Sequence, residues 1–254
     1  MSIGKKAILK KVIDLCMTVL LLCLMAYQVT GETLHEWFGI GMTALLILHH
    51  VLNFRWYASL FKGRYNAYRI VTVAVNTMLL VSIALTAVCG MAMSAHAVPF
   101  LYGFLPISFA RRFHLAMSFW SFLLMGVHLG LHLPAMAAGF SWKRKVRIAV
   151  ASAFVPLAGI GFWRFLQNGI PNYLFFRTPF ASLDYEKAAL LVFAENLSIL
   201  VAFSLIGAVC ASLIRAIRDP GDRQKQRILL PLLFVAVALL IGAGLFLLDG
   251  RMEV

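Results

Sequence analysis

Acidic residues are scarce in this chain: 10 Asp and Glu stand against 23 Lys and Arg in 254 residues, and charged residues of either sign make up only 13%. Hydrophobic residues reach 62% and the mean hydropathy is +0.88, more apolar surface than a soluble core could hide. The composition therefore points to a chain that works inside a bilayer. In that setting the +13 net charge reports cytoplasmic loops and not nucleic-acid binding. The four cysteines, Cys16, Cys23, Cys89 and Cys210, fall in apolar runs and form no C-x-x-C pair. That excludes a disulfide framework, a zinc site of the usual spacing and covalent haem attachment. H-E-x-x-H, G-x-S-x-G and a glycine-rich phosphate loop are also missing, so nothing points to hydrolysis.

What is present is a series of apolar stretches at 12–30, 34–54, 70–95, 113–139, 148–166, 188–214 and 228–248, each long enough to cross as a helix. The basic start MSIGKKAILKK resembles a signal peptide, but the run after it lacks a small-x-small cleavage site and reads as a retained first span. Seventeen of the 23 Lys and Arg fall in the N-terminal tail, 55–69, 143–147 and 215–227. This bias puts the N-terminus in the cytoplasm and the C-terminus outside, in a bacterial-type inner membrane. Gly31 and Glu32 are expected to form a tight turn between spans one and two. The aromatic, Pro-bearing connections 96–110 and 167–185 suit the headgroup layer or a docking surface.

Six of the seven histidines lie on spans two and four. His35 and His49 are 14 residues apart, and so are His114 and His128. On an α-helix this separation is nearly four turns, so the two imidazoles share a face about 21 Å apart along the axis. Spans two and four run in the same direction. Packed together, they would set His35 level with His114 near the outer surface and His49 level with His128 near the inner one. Facing imidazoles at two depths are what two stacked haems require, one ring on each side of each iron.

The residues around the histidines fit that expectation. Gly39, Gly41, Ser118, Gly126 and Gly130 would line the face a flat macrocycle approaches, and Arg55, Arg111 and Arg112 lie at the depths where propionates would emerge. Snorkelling to the interface explains the arginines equally well. His50 and His132 compete as ligands with His49 and His128. The two halves read H-x13-H-x3-N and H-x13-H-x3-H, which favours the 14-residue pair and leaves His132 and Asn53 as propionate or supporting partners.

The segments LHEWFGIGMTALLILHHVLNFRW (34–56) and HLAMSFWSFLLMGVHLGLHL (114–133), with an Asn-bearing span between them, resemble the flavinylation-associated cytochromes. They are similar, more distantly, to the cytochrome b subunits of quinol-oxidising complexes. The likeness covers roughly residues 10–135, and 173–197 is similar to longer members. The resemblance implies a membrane b-type cytochrome beside an extracytoplasmic flavoprotein carrying covalent FMN, with His35, His49, His114 and His128 as the ligands of two non-covalent b haems. No flavin acceptor motif is found in this chain, so the flavin would sit on the partner.

The expected fold class is thus all-α: a polytopic membrane protein of seven transmembrane helices. Residues 1–140 would form a four-helix di-haem domain, with three further helices at 141–254 packed on it. The expected function is electron transfer, not stand-alone catalysis, with the quinone pool as a further partner class. Glu195 and Asn196, about two turns inside span six, are candidates for quinone or proton handling, set against a bonded bundle carboxyl. Asp14 reads as an interfacial residue beside Lys10 and Lys11, and His96 as solvent-exposed. A histidine-lined site for divalent metal binding or transport is the competing reading.

Overall fold

The computed structural model describes residues 3–137 and 144–218. The expected span at 228–248 and the C-terminus lie outside the described residues. Within them the chain is helical throughout, with no strand. The six remaining expected spans correspond to α1 (Ile3–Met25), α2 (Tyr27–Leu52), α4 (Ala67–Met93), α5 (Ile107–Ala137), α6 (Arg144–Gln167) and α8 (Ala189–Arg218). Short helices α3 (Phe54–Leu60) and α7 (Ile170–Leu174) occupy connections. Among the described residues, three helices are long and apolar enough to cross a membrane: Ala67–Met93, Ile107–Leu133 and Ala189–Arg215. A fourth qualifies if α2 and α3, bent by 59° at their junction, count as one. The first helix carries Lys10, Lys11 and Asp14 in its apolar run, which dilutes its hydrophobicity.

Helices α1 and α2 form an antiparallel hairpin. The reversal is at Gly31, whose φ of 70° and ψ of 175° lie in a region essentially closed to residues with a Cβ. Two polar contacts close the far end of the hairpin: Lys10 Nζ donates to Asn53 Oδ1 at 2.9 Å, and His49 Nδ1 meets Asp14 Oδ1 at 2.8 Å. Asn53 also donates from Nδ2 to the His49 carbonyl at 2.8 Å, ending α2 where α3 turns away.

The rest of the bundle is packed in the order α4, α5, α8, α6. Small residues set the closest approaches, because without a water-driven term between lipid-facing helices van der Waals contact must be made backbone to backbone. A Cβ on Gly130 would lie 1.9 Å from the Ser204 carbonyl oxygen, and one on Gly207 2.2 Å from that of Val127, so α5 and α8 touch along their main chains. Gly161 on α6 meets the Ser198 carbonyl of α8 in the same way. Gly126 and Gly130, read from the sequence as lining a macrocycle, therefore receive α8 instead. Between α4 and α5 the buried Ser121 hydroxyl donates to Ser82 Oγ at 3.0 Å.

By contrast, α2 touches α4 only sparsely. The α1–α2 hairpin stands beside the tightly packed helices with its histidine face toward α5. Helix α7 docks against α5: Trp120 Nε1 donates to the Leu174 carbonyl at 3.1 Å, and Phe119 stacks on Tyr173.

Candidate functional site

Helices α2 and α5 bring His35 and His114, the first members of the two 14-residue pairs, into contact. The rings of His35 and His114 have centroids 6.0 Å apart with planes at 72°. Two imidazoles bound to one metal from opposite sides through bonds of ~2 Å would have centroids about 6 Å apart. At the other end His49 is near enough to His128 for the rings to act on each other electrostatically. The two helices are therefore parallel, with the ring contact formed at the His35–His114 level.

Three of these four rings are oriented through Nδ1. On the α4 side, His114 Nδ1–H donates to the Thr86 carbonyl at 2.9 Å and His128 Nδ1–H to Asn76 Oδ1 at 2.8 Å. On the α1 side, His49 Nδ1–H is held by Asp14 at 2.8 Å. His35 Nδ1 is buried, with the Leu24 carbonyl in its range but no hydrogen bond formed. Fixing the proton on Nδ1 leaves Nε2 as the free lone pair of each anchored ring, the arrangement found around metal-bound histidines. Gly90 makes the His114 contact possible: a Cβ there would lie 3.1 Å from His114 Cε1, so a side chain would press on the ring that reaches across α4.

The competing histidines are placed differently. His50 Nδ1 is paired with the Tyr57 hydroxyl of α3 at 2.7 Å, and His132 lies with its ring 4.8 Å from that of His128. Of the arginines, Arg111 stacks over Phe180 at 5.3 Å, and Arg112 lines an open cleft of about 420 Å³ with Ser108, Phe109, Phe113 and Phe176. Arg55 is exposed on α3.

No family model, curated protein or solved structure matches the chain. Its chemistry is read from its own side chains.

Three residues that the sequence left unremarked or read as bland are central here: Asp14, Asn76 and Glu36. Glu36, next to His35, accepts from the Ser94 hydroxyl at 2.7 Å and from the backbone N–H groups of Ala95, His96 and Ala97 at 3.0, 2.8 and 2.7 Å. This one carboxylate gathers the N–H donors of the connection that follows α4 and ties it to α2. Glu36→Ala is expected to release segment 94–97 and to cost on the order of 1–3 kcal/mol. Limited proteolysis and thermal unfolding of the purified protein read this directly; unchanged cleavage and midpoint would mean that the tether contributes nothing.

Glu32, Glu36 and exposed His96 place one ligand atom each within 4.8 Å of one another at the same end of α2. Glu195 is only 6% exposed and is paired with Lys187 Nζ at 2.7 Å and Arg164 Nε at 3.4 Å. Its oxygens thus join α6, α8 and the connection before α8, the bonded alternative raised by the sequence.

Proposed function

We propose that this chain is a membrane electron carrier that holds two b haems by bis-histidine ligation, His35 with His114 and His49 with His128. The observation that carries the reading is the 6.0 Å pair of His35 and His114, and three of the four rings turn Nδ1 to an acceptor, which leaves Nε2 free. Bound haem supplies reversible one-electron chemistry, and two axial imidazoles leave its iron no open position for oxygen or substrate. The chain's own part is to hold the four rings at fixed tautomer and angle, keep water from the levels between α2 and α5, and set the separation of the two sites at about 21 Å along α5.

In this reading the full chain crosses a cytoplasmic membrane seven times with its N-terminus inside. Its first four spans hold the haems, and it exchanges electrons with an extracytoplasmic FMN-bearing partner, as the likeness to flavinylation-associated cytochromes suggests. The quinone pool is the other partner in keeping with that likeness. Glu195, with both oxygens facing cations, has the form of a structural ion pair. The divalent-metal reading has one observation on its side, the Glu32–Glu36–His96 cluster. There, however, Glu36 already accepts four hydrogen bonds.

The test is the visible spectrum of the detergent-purified full chain, oxidised and dithionite-reduced, with haem counted as the pyridine haemochrome. Sharp α and β bands on reduction and close to two haem b per chain are expected. A colourless protein from cells well supplied with haem would overturn the proposal, and bound zinc or manganese in that sample would favour the alternative.

A further inference from the structure

We propose that Asp14 makes the His49–His128 site the stronger reductant of the two, so that electrons run downhill toward the His35–His114 site. This rests on the haem reading above and concerns the order of the two potentials, which that reading leaves open.

The four Nδ1 contacts are not equivalent. His49 faces a carboxylate, His128 a side-chain amide oxygen and His114 a peptide carbonyl, while His35 has no bonded acceptor. An acceptor on Nδ1–H pushes electron density into the ring and makes Nε2 a stronger donor, and a stronger donor favours the oxidised metal. A full negative charge does this more than a neutral oxygen, and also stabilises the extra positive charge of the oxidised site directly. The His49–His128 level therefore carries the one anionic acceptor of the set together with an amide, and the other level a single neutral acceptor.

Lys10, Lys11 and Arg55 lie at the same end and oppose this effect, while Asp14 contacts the His49 ring itself at 2.8 Å. Lys10, one helical turn from Asp14, donates to Asn53 and not to the carboxylate. At the opposite level, Arg111 and Arg112 precede His114, while Glu36 beside His35 is engaged by four donors of the outer connection. Asp14 is 51% exposed, so solvent screens part of its effect. The transfer moves one electron and no proton: the His49–His128 site is oxidised as the His35–His114 site is reduced.

The experiment is a spectroelectrochemical titration of the full-length purified chain and its variants. Wild type should titrate as two one-electron components, and His35→Ala should keep the lower. Asp14→Asn should raise the lower component by roughly tenfold in its oxidation equilibrium, ~59 mV for one electron, and leave the upper one in place, while Asp14→Glu should hold the lower near its original value. If Asp14→Asn costs a haem, the surviving component should be the upper one. A lower component that vanishes in His35→Ala, an Asp14→Asn shift confined to the upper component or absent from both, or an Asp14→Glu potential equal to that of Asp14→Asn would overturn the proposal. A wild-type protein with two haems and no Asp14 effect would leave the cytochrome reading standing; one without haem would remove both.

Discussion

Replacing His114 by alanine is expected to lower the haem content of the purified chain from two per molecule to one, and His35→Ala should remove the same haem. The two rings stand 6.0 Å apart, as two ligands of one metal would, and the other histidine of that end, His96, is exposed on the connection after α4. His50 is turned to Tyr57, and His132 is grouped with His128 at the other level. His49→Ala and His128→Ala should together define the second haem. The decisive sample is the double variant His35→Ala/His114→Ala. If the pairing is right it retains one haem with the spectrum of either single variant, and if it has none the rings are paired some other way. Haem per chain by pyridine haemochrome, with low-temperature α-band spectra to separate the two sites, gives the answer without any assay of turnover.

The second large effect is expected at Gly130, two residues from His128 but turned to α8. Gly130→Ala would set a methyl 1.9 Å from the Ser204 carbonyl oxygen, in contact with backbone on a packed helix and not with a side chain that can swing aside. Overpacking of a core costs ~1–3 kcal/mol when side chains can adjust, and here the two helices must separate, so the loss should lie at or above the top of that range. Gly159→Ala is the control: a Cβ there meets nothing within 4 Å, and alanine is the better helix former by ~0.5–1 kcal/mol. Thermal unfolding in one detergent should place the two variants on opposite sides of wild type. Equal midpoints would mean that α5 and α8 are not packed as closely as described.

The positions of the described helices, the Gly31 reversal and the meeting of His35 with His114 were legible in the sequence, because hydropathy, a glycine at a break and a 14-residue period are properties of single segments. What it did not carry is what lies across from each segment. Asp14 read as an interfacial acid because its neighbours in the chain are Lys10 and Lys11. Its role follows only from the hairpin, in which Asp14 and His49 lie nearly equidistant from Gly31, as do Lys10 and Asn53, so that placing the turn would have paired them. Asn76 and Gly90 had no signal of their own, since their partners are on α5. Gly126 and Gly130 were misread for the opposite reason: a small residue signals close approach without naming what approaches, and α8 arrived where a macrocycle was expected. Glu36 was overlooked because its partners are mostly backbone N–H groups, which every sequence contains.

The main-chain contact of α5 with α8 fixes more than stability. A helix seated by glycines against a neighbour's carbonyls has no small sliding motion open to it, since the next equivalent seat is a full turn away, about 5 Å along the axis. His114 and His128 are therefore graduations on a rule that does not move, while His35 and His49 belong to a separate hairpin, packed on the bundle through Met17, Leu21 and Met42. Any tilt of that hairpin changes the gap at both levels at once and the distance between the levels not at all.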